Sequence, residues 1–260
     1  MEINSRPLSL GGINTRYGYY RSRNVRFGAN PAPDSFELMT LNKFTTEYNL
    51  QKAINENPKI KNILNMHNLP CKLNMETIRD LQEHHAKDTK DIALGIIENL
   101  PLALKNKTDK SAVERAAFLH DTGKALIPDE ILNKRGKLTE AETEIMHTHS
   151  ELSYELLKIG GLDKKTLNLI KNHHQNVKKT GYPLVDNTFF ADVNQQIVSI
   201  SDKYSALTEK RPYKEPLTEK QALTIIYKDV KDGKFNPLIF NSLVKYAGMG
   251  GTSEKITLLN

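Results

Sequence analysis

The chain has 260 residues, enough for one large domain or a domain with a small accessory, and ample for a sizeable core. Hydrophobic residues make up 38%, tryptophan is absent, and no apolar run approaches the roughly 18 residues of a membrane span, so no membrane association is expected. A formal charge of +6 favours anionic ligands such as phosphates but is too mild to argue for nucleic acid, and a single cysteine, Cys71, excludes an intrachain disulfide and points to a reducing cytoplasm.

Residues 1–40 read as an irregular basic leader, rich in Gly, Asn, Ser, Arg and Pro and without sustained periodicity. Its arginines (Arg6, Arg16, Arg21, Arg23, Arg26) lie among Tyr17, Tyr19, Tyr20 and Phe27, which could stack on bases, but a partly ordered tail is the plainer reading. It has no apolar core of the kind a signal peptide needs. Residues 41–74 form a short helical N-terminal region of two helices broken at Pro58 and Pro70. From Asn74, a candidate N-cap, one longer helix is predicted to about Asn99, followed by a polar loop over Pro101 to Lys110.

The next helix ends near His120-Asp121, just before Gly123. Thr139 with Glu142 makes a capping box that opens another, closed by Gly160-Gly161. Asp163 starts a further helix, with Leu162 and Leu167 placed as a hydrophobic staple; another runs from about Asn194 to Thr208. Thr218 and Gln221 make a second capping box, Asn236-Pro237 opens the last helix, and residues 249–260 form a tail after Gly248. No alternating pattern argues for a sheet, so the predicted class is all-α.

His120-Asp121 is the most informative pair in the chain. An adjacent His and Asp at a helix end can ligate two neighbouring metals, with the carboxylate bridging. His149, His173, His174 and Asp202 follow on distinct predicted helices, which points to a binuclear centre and to hydrolysis by a metal-bound hydroxide. Periodicity sorts the histidines. Ile145, His149, Leu152 and Leu156 share one stripe, and His147 falls about 160° from His149 at roughly 100° per residue. Ile78, Leu81, His85, Ile92 and Ile96 share another, which selects His85 over His84. A lone core histidine bonded to backbone is commoner than a ligand. Their joint occurrence on buried faces, with Asp202 inside the otherwise packed IVSISDKYSAL, favours a cation that offsets carboxylate burial.

These motifs resemble the HD-domain phosphohydrolases, and within them the HD-GYP branch. HDTGK at 120–124, IPDEILNKRGKLT at 127–139, HHQNVKKTGYP at 173–183, SDKYSALTEKRPYK at 201–214 and KFNP at 234–237 carry the resemblance, which covers roughly 75–248. It implies an HD-domain helical bundle around two metals, one held by His85, His120, Asp121 and Asp202 and the other by Asp121, His149, His173 and His174. Such nitrogen-rich mixed coordination suits iron or manganese, with zinc or cobalt as alternatives. Some relatives take a third metal on an acid four residues before the first His; Leu81 stands there, so two are expected. The resemblance implies catalytic roles for Asp121 and Lys124, and substrate contacts from Lys124, Tyr182, Arg211 and Lys214.

Gln175, Lys178 and Lys179 replace the usual Glu, Asp and Gly, Gln196 stands where Arg is usual, and Ser205 replaces the second Asp of DxYDALT. Three readings follow: a phosphodiesterase for a cyclic dinucleotide, with cyclic di-GMP as default; a phosphohydrolase of another nucleotide or phosphate ester; or a non-catalytic metal- and nucleotide-binding signalling module. A protein partner or homodimer stays open.

Overall fold

Apolar residues recur at helical spacing from Glu47 onward, and each repeat becomes a helix with one buried face. The structure, a computed structural model, describes residues 47–209 and 215–248. Helices α1 (Glu47–Glu56), α2 (Pro58–Met66), α3 (Met75–Glu83), α4 (His85–Asn99), α5 (Leu102–Lys105) and α6 (Lys110–Leu119) lead to a 3-10 turn, Thr122–Leu126. Then come α7 (Asp129–Leu132), α8 (Glu140–His147), α9 (His149–Gly160), α10 (Lys164–Lys171), α11 (Val193–Thr208), α12 (Glu219–Lys231) and α13 (Pro237–Tyr246). No strand occurs among the described residues, in agreement with the all-α reading. Nor is any helix among them long and apolar enough to cross a membrane. The leader, residues 1–40, the tail, residues 249–260, and both Arg211 and Lys214 lie outside the described residues.

Helix α4 is the centre of the bundle. Its stripe of Ile92, Ala93, Ile96 and Ile97 is buried among α6, α11 and α13. Gly95 lets α13 come close, since a Cβ there would stand 2.0 Å from the Tyr246 ring. Helix α9 lays Leu152, Leu156 and Leu157 against the 3-10 turn and α10; full burial of each is worth roughly 2 kcal/mol. Helices α1 and α2 pack on α9 and bury Leu50, Ile54, Ile60 and Leu64 in the same core.

The predicted caps form. Thr139–Glu142 and Thr218–Gln221 are reciprocal capping boxes, Asn74 and Asp163 accept first-turn amides, and Gly161 ends α9 at φ 92. Three expectations are corrected. The helix predicted from Asn74 to Asn99 is two, because His84 leaves helical geometry at φ −122, ψ −93. No Gly or Pro marks that break; it falls where the ring of His85 is held from α11. The helix opened by Thr139 likewise divides at Thr148, a tightened turn whose amide and hydroxyl both bond the Ile145 carbonyl. The polar loop after Pro101 contains a short helix, α5, whose turn closes on the Pro101 and Leu102 carbonyls.

Candidate metal centre

Helix ends build the site. His85 is the first residue of α4 and His149 the first of α9; His120 and Asp121 lie between α6 and the 3-10 turn; His173 and His174 follow α10. Asp202 comes from within α11. All seven predicted ligand residues converge. His85, His120, Asp121, His149, His173 and Asp202 are buried, and His174 is half-buried. His84, the rejected alternative to His85, is exposed.

Local backbone fixes the rings. His120 Nδ1 lies 2.8 Å from the Ala117 carbonyl, His149 Nδ1 2.6 Å from that of Met146, and His173 Nδ1 2.6 Å from that of Ile170. A carbonyl only accepts, so each Nδ1 carries the proton and donates it. In the neutral ring the Nε2 lone pair then points into the site. His149 Nε2 stands 3.2 Å from Nε2 of both His173 and His174, and 3.2 Å from Asp121 Oδ1. In the neutral rings of His149 and His173 these lone pairs face one another and the Asp121 oxygen, an arrangement that a cation between them would stabilise. His120 Nε2 and Asp121 Oδ1 are moreover buried without a hydrogen-bond partner among the described residues.

The two oxygens of Asp121 divide the cluster. Oδ1 faces His149 at 3.2 Å and His173 at 3.8 Å, whereas Oδ2 faces His120 at 3.4 Å and His85 at 3.7 Å. Asp202 Oδ1 lies 3.1 Å from His85 Nε2 and 3.5 Å from His120 Nε2. Two groups result, Asp121 with His149, His173 and His174, and His85 with His120 and Asp202, with ligand atoms in each within 4.8 Å of one another. The donor set of imidazole nitrogens and carboxylate oxygens fits first-row divalent metals.

Burial works against charge on every group, but Lys124 and His120 hold Asp121 well below the usual carboxylate range, and His120 and His85 do the same for Asp202. Burial alone would lower His120, yet the Asp121 and Asp202 carboxylates push it up to about 10. Burial and the neighbouring rings push His173 down, and burial, only partly offset by Asp202, brings His174 to about 3.

The other predicted site residues are placed as follows. Lys124 Nζ donates to Asp121 Oδ2 at 2.5 Å, so its charge lies against the carboxylate that faces both groups. Tyr182 stacks on His147, with centroids 3.7 Å apart and planes at 16°, and lies 4.3 Å from the His174 ring. This corrects the reading of His147 as facing away: the turn at Thr148 uncouples its direction from that of His149, and its ring joins the wall of the site. Ser153 is a further residue that no sequence pattern singles out. Its hydroxyl donates to the His120 carbonyl at 2.7 Å and accepts the Gly123 amide at 2.7 Å. Gly123 can enter because it lacks a Cβ, which would stand 2.2 Å from the His149 carbonyl oxygen.

The family model described as HD domain matches residues 61–239. The chain belongs to the HD-domain family. Among similar curated proteins, the cyclic di-GMP phosphodiesterase response regulator RpfG of Xanthomonas campestris is 36% identical over 143 residues, 51% of this chain and 35% of that one. The 3'3'-cGAMP-specific phosphodiesterase 1 of Vibrio cholerae is 27% identical over 161 residues, 62% of this chain and 37% of its own. A cyclic di-GMP phosphodiesterase of Thermotoga maritima is 29% identical over 171 residues, 64% of this chain and 45% of its own. The chain thus spans between a third and a half of the length of these relatives. Among solved structures, Bd1817, a HDG"Y"P protein from Bdellovibrio bacteriovorus, aligns at a TM-score of 0.49 and 14% identity, covering 80% of this chain and 60% of that one.

At one departure from the branch pattern, this HD domain restores the missing charge. Ser205 Oγ lies 3.2 Å from His85 Nδ1, and the Glu209 carboxylate, one helical turn on, approaches the same nitrogen at 3.3 Å. A carboxylate on the far nitrogen raises the basicity of the near one. Periodicity along α11 gives no hint of Glu209, which lies just past the end of the helix.

Proposed function

We propose that this HD domain is a metal-dependent phosphodiesterase that hydrolyses a cyclic dinucleotide, with cyclic di-GMP the first substrate to test. The carrying observation is the Asp121 carboxylate, whose two oxygens face separate sets of histidine Nε2 atoms. We assign one cation to His85, His120, Asp202 and Asp121 Oδ2, and a second to His149, His173, His174 and Asp121 Oδ1. Iron or manganese suits this donor set best, with zinc or cobalt as alternatives. Two divalent cations so held would act as Lewis acids on a phosphate and lower the pKa of water between them.

The chain's own residues supply the rest. Lys124 holds its ammonium beside Asp121, where it would meet a phosphate oxygen of the substrate. Tyr182, raised in pKa by burial and by Asp121 and Asp202, stays protonated and lines the pocket as a neutral aromatic wall. Arg211 and Lys214 are assigned to the substrate phosphates by the resemblance alone. The lone Cys71 supports a reducing compartment such as the cytoplasm. The names of the relatives support the substrate class.

Metal analysis by ICP-MS of anaerobically purified protein, beside an Asp121→Ala variant, tests this reading. About two iron or manganese per chain, lost in the variant, is the expected result. Hydrolysis is then measured on cyclic di-GMP, 3'3'-cGAMP and a generic phosphodiester. Protein that takes up no metal after reconstitution overturns the catalytic reading. Turnover of the generic ester alone redirects it to another phosphate ester.

A further inference from the structure

Gln175 follows the paired histidines directly and is fully buried. Its amide spans the turn that carries Tyr182. Nε2 donates to the Pro183 carbonyl at 2.6 Å, and Oε1 accepts from the Gly181 amide at 3.2 Å. Those two backbone groups make opposite demands, one for a donor and one for an acceptor. A primary amide meets both; a carboxylate, which only accepts, would set an anionic oxygen against the Pro183 oxygen in a buried place. The glutamine is therefore matched to this closed turn and is not a bland replacement for the glutamate usual in the branch.

The turn has no slack on its other side. A Cβ on Gly181 would stand 1.9 Å from the His174 carbonyl oxygen, so the 181–183 segment rests on the backbone of the paired histidines. Gln175 is itself anchored, its amide on Asn172 at 2.7 Å and its carbonyl accepting from Ser199 at 3.1 Å. Two further departures fasten the same loop. Lys179 Nζ donates to the carbonyls of Asp186 and Asn187 at 3.2 and 2.9 Å. Gln196 donates to the Ala191 carbonyl at 2.8 Å and accepts the Asn236 amide at 2.8 Å.

We infer that Gln175 is a positioning residue for substrate: by clamping Gly181 and Pro183 it fixes the Tyr182 ring against His147 and His174 as a preset wall of the pocket. This rests on the phosphodiesterase reading for its kinetic consequence, but not for its structural one. Gln175→Met removes both bonds without burying a charge, and Gln175→Glu sets an acceptor against Pro183. Hydrogen exchange over 177–190, followed by mass spectrometry, needs no substrate. It should quicken in both variants while the rest of the chain keeps its protection.

In metal-loaded protein the KM for the cyclic dinucleotide should rise about tenfold as the preset wall loosens, with kcat little changed. In a Tyr182→Ala background, Gln175→Met should add nothing further to KM, because it acts through that ring. Unchanged exchange over the loop overturns the proposal, as do additive KM effects or loss of metal from the Gln175 variants. If the wild type hydrolyses no cyclic dinucleotide, the phosphodiesterase reading fails, and the exchange measurement still decides whether Gln175 holds the turn. Should Gln175→Met not fold, Gln175→Asn, which draws the amide back by one methylene, carries the same test.

Discussion

Gly123→Ala is the sharpest test of how the metal centre is assembled. The added methyl would lie 2.2 Å from the His149 carbonyl oxygen and 2.4 Å from the Ser153 amide nitrogen, both backbone atoms of α9. To reach ordinary contact at 3.4 Å, the 3-10 turn and α9 must separate by about 1.2 Å. Overpacking of this kind costs about 1–3 kcal/mol. The same movement breaks both bonds of the Ser153 hydroxyl, at roughly 1 kcal/mol each. Together they amount to about 4 kcal/mol, which in a domain of this size lowers Tm on the order of 10 °C. The shift also draws His120 and Asp121 away from His149, and a misplacement of about 1 Å costs on the order of a hundredfold in rate. Calorimetry beside ICP-MS should show both the lower Tm and substoichiometric metal. A variant with wild-type metal content and a Tm within about 2 °C of the parent would refute the claim that this contact sets the spacing of the site.

Further outcomes are expected away from the centre. Lys179 has a left-handed φ of 59, so Lys179→Gly should be more stable than Lys179→Ala by about 1 kcal/mol in urea unfolding. Removing the capping box with Thr139→Ala should cost about 1 kcal/mol by the same assay, without loss of metal. Asp229, which pairs with Lys203 and Lys234, is disfavoured as an anion by burial but held below the usual carboxylate range by the two lysines. With the folded pKa depressed, its stabilisation is complete above about pH 4 and is lost as pH falls through the lower folded value. Asp229→Asn should therefore be less stable by about 1 kcal/mol at neutral pH, since the lysines are partly exposed, and the gap should close in acid. A gap that persists at pH 2 would show that packing, not charge, makes the contribution.

The parts of the fold that could be read from the sequence are those whose causes are local. Thr139, Asp163, Thr218 and Asn236 each bond amides within their own first turn, so their helix starts follow from neighbouring residues. His149 and His85 are legible because burial follows the helical stripe. The break at His84 has no local cause: it accompanies a contact between His85 and Asp202, 117 residues away, and no breaker marks it. His147 departs from its helical phase for a related reason, since one tightened turn at Thr148 is enough to void a phase count made along a continuous helix. Glu209 and Gln175 were illegible as partners because both act in irregular backbone, where no period exists to say which way a side chain points.

The anchoring of His120, His149 and His173 on carbonyls three residues back means that each ring is set by the turn that bears it. The freedom of those side chains is surrendered when the helices form, not when an ion arrives. Such a centre differs in kind from small metal modules that are unfolded without their ion. Stripping with a chelator should leave the far-ultraviolet circular dichroism of this chain unaltered, and metal uptake should be fast, since the cage is already in shape.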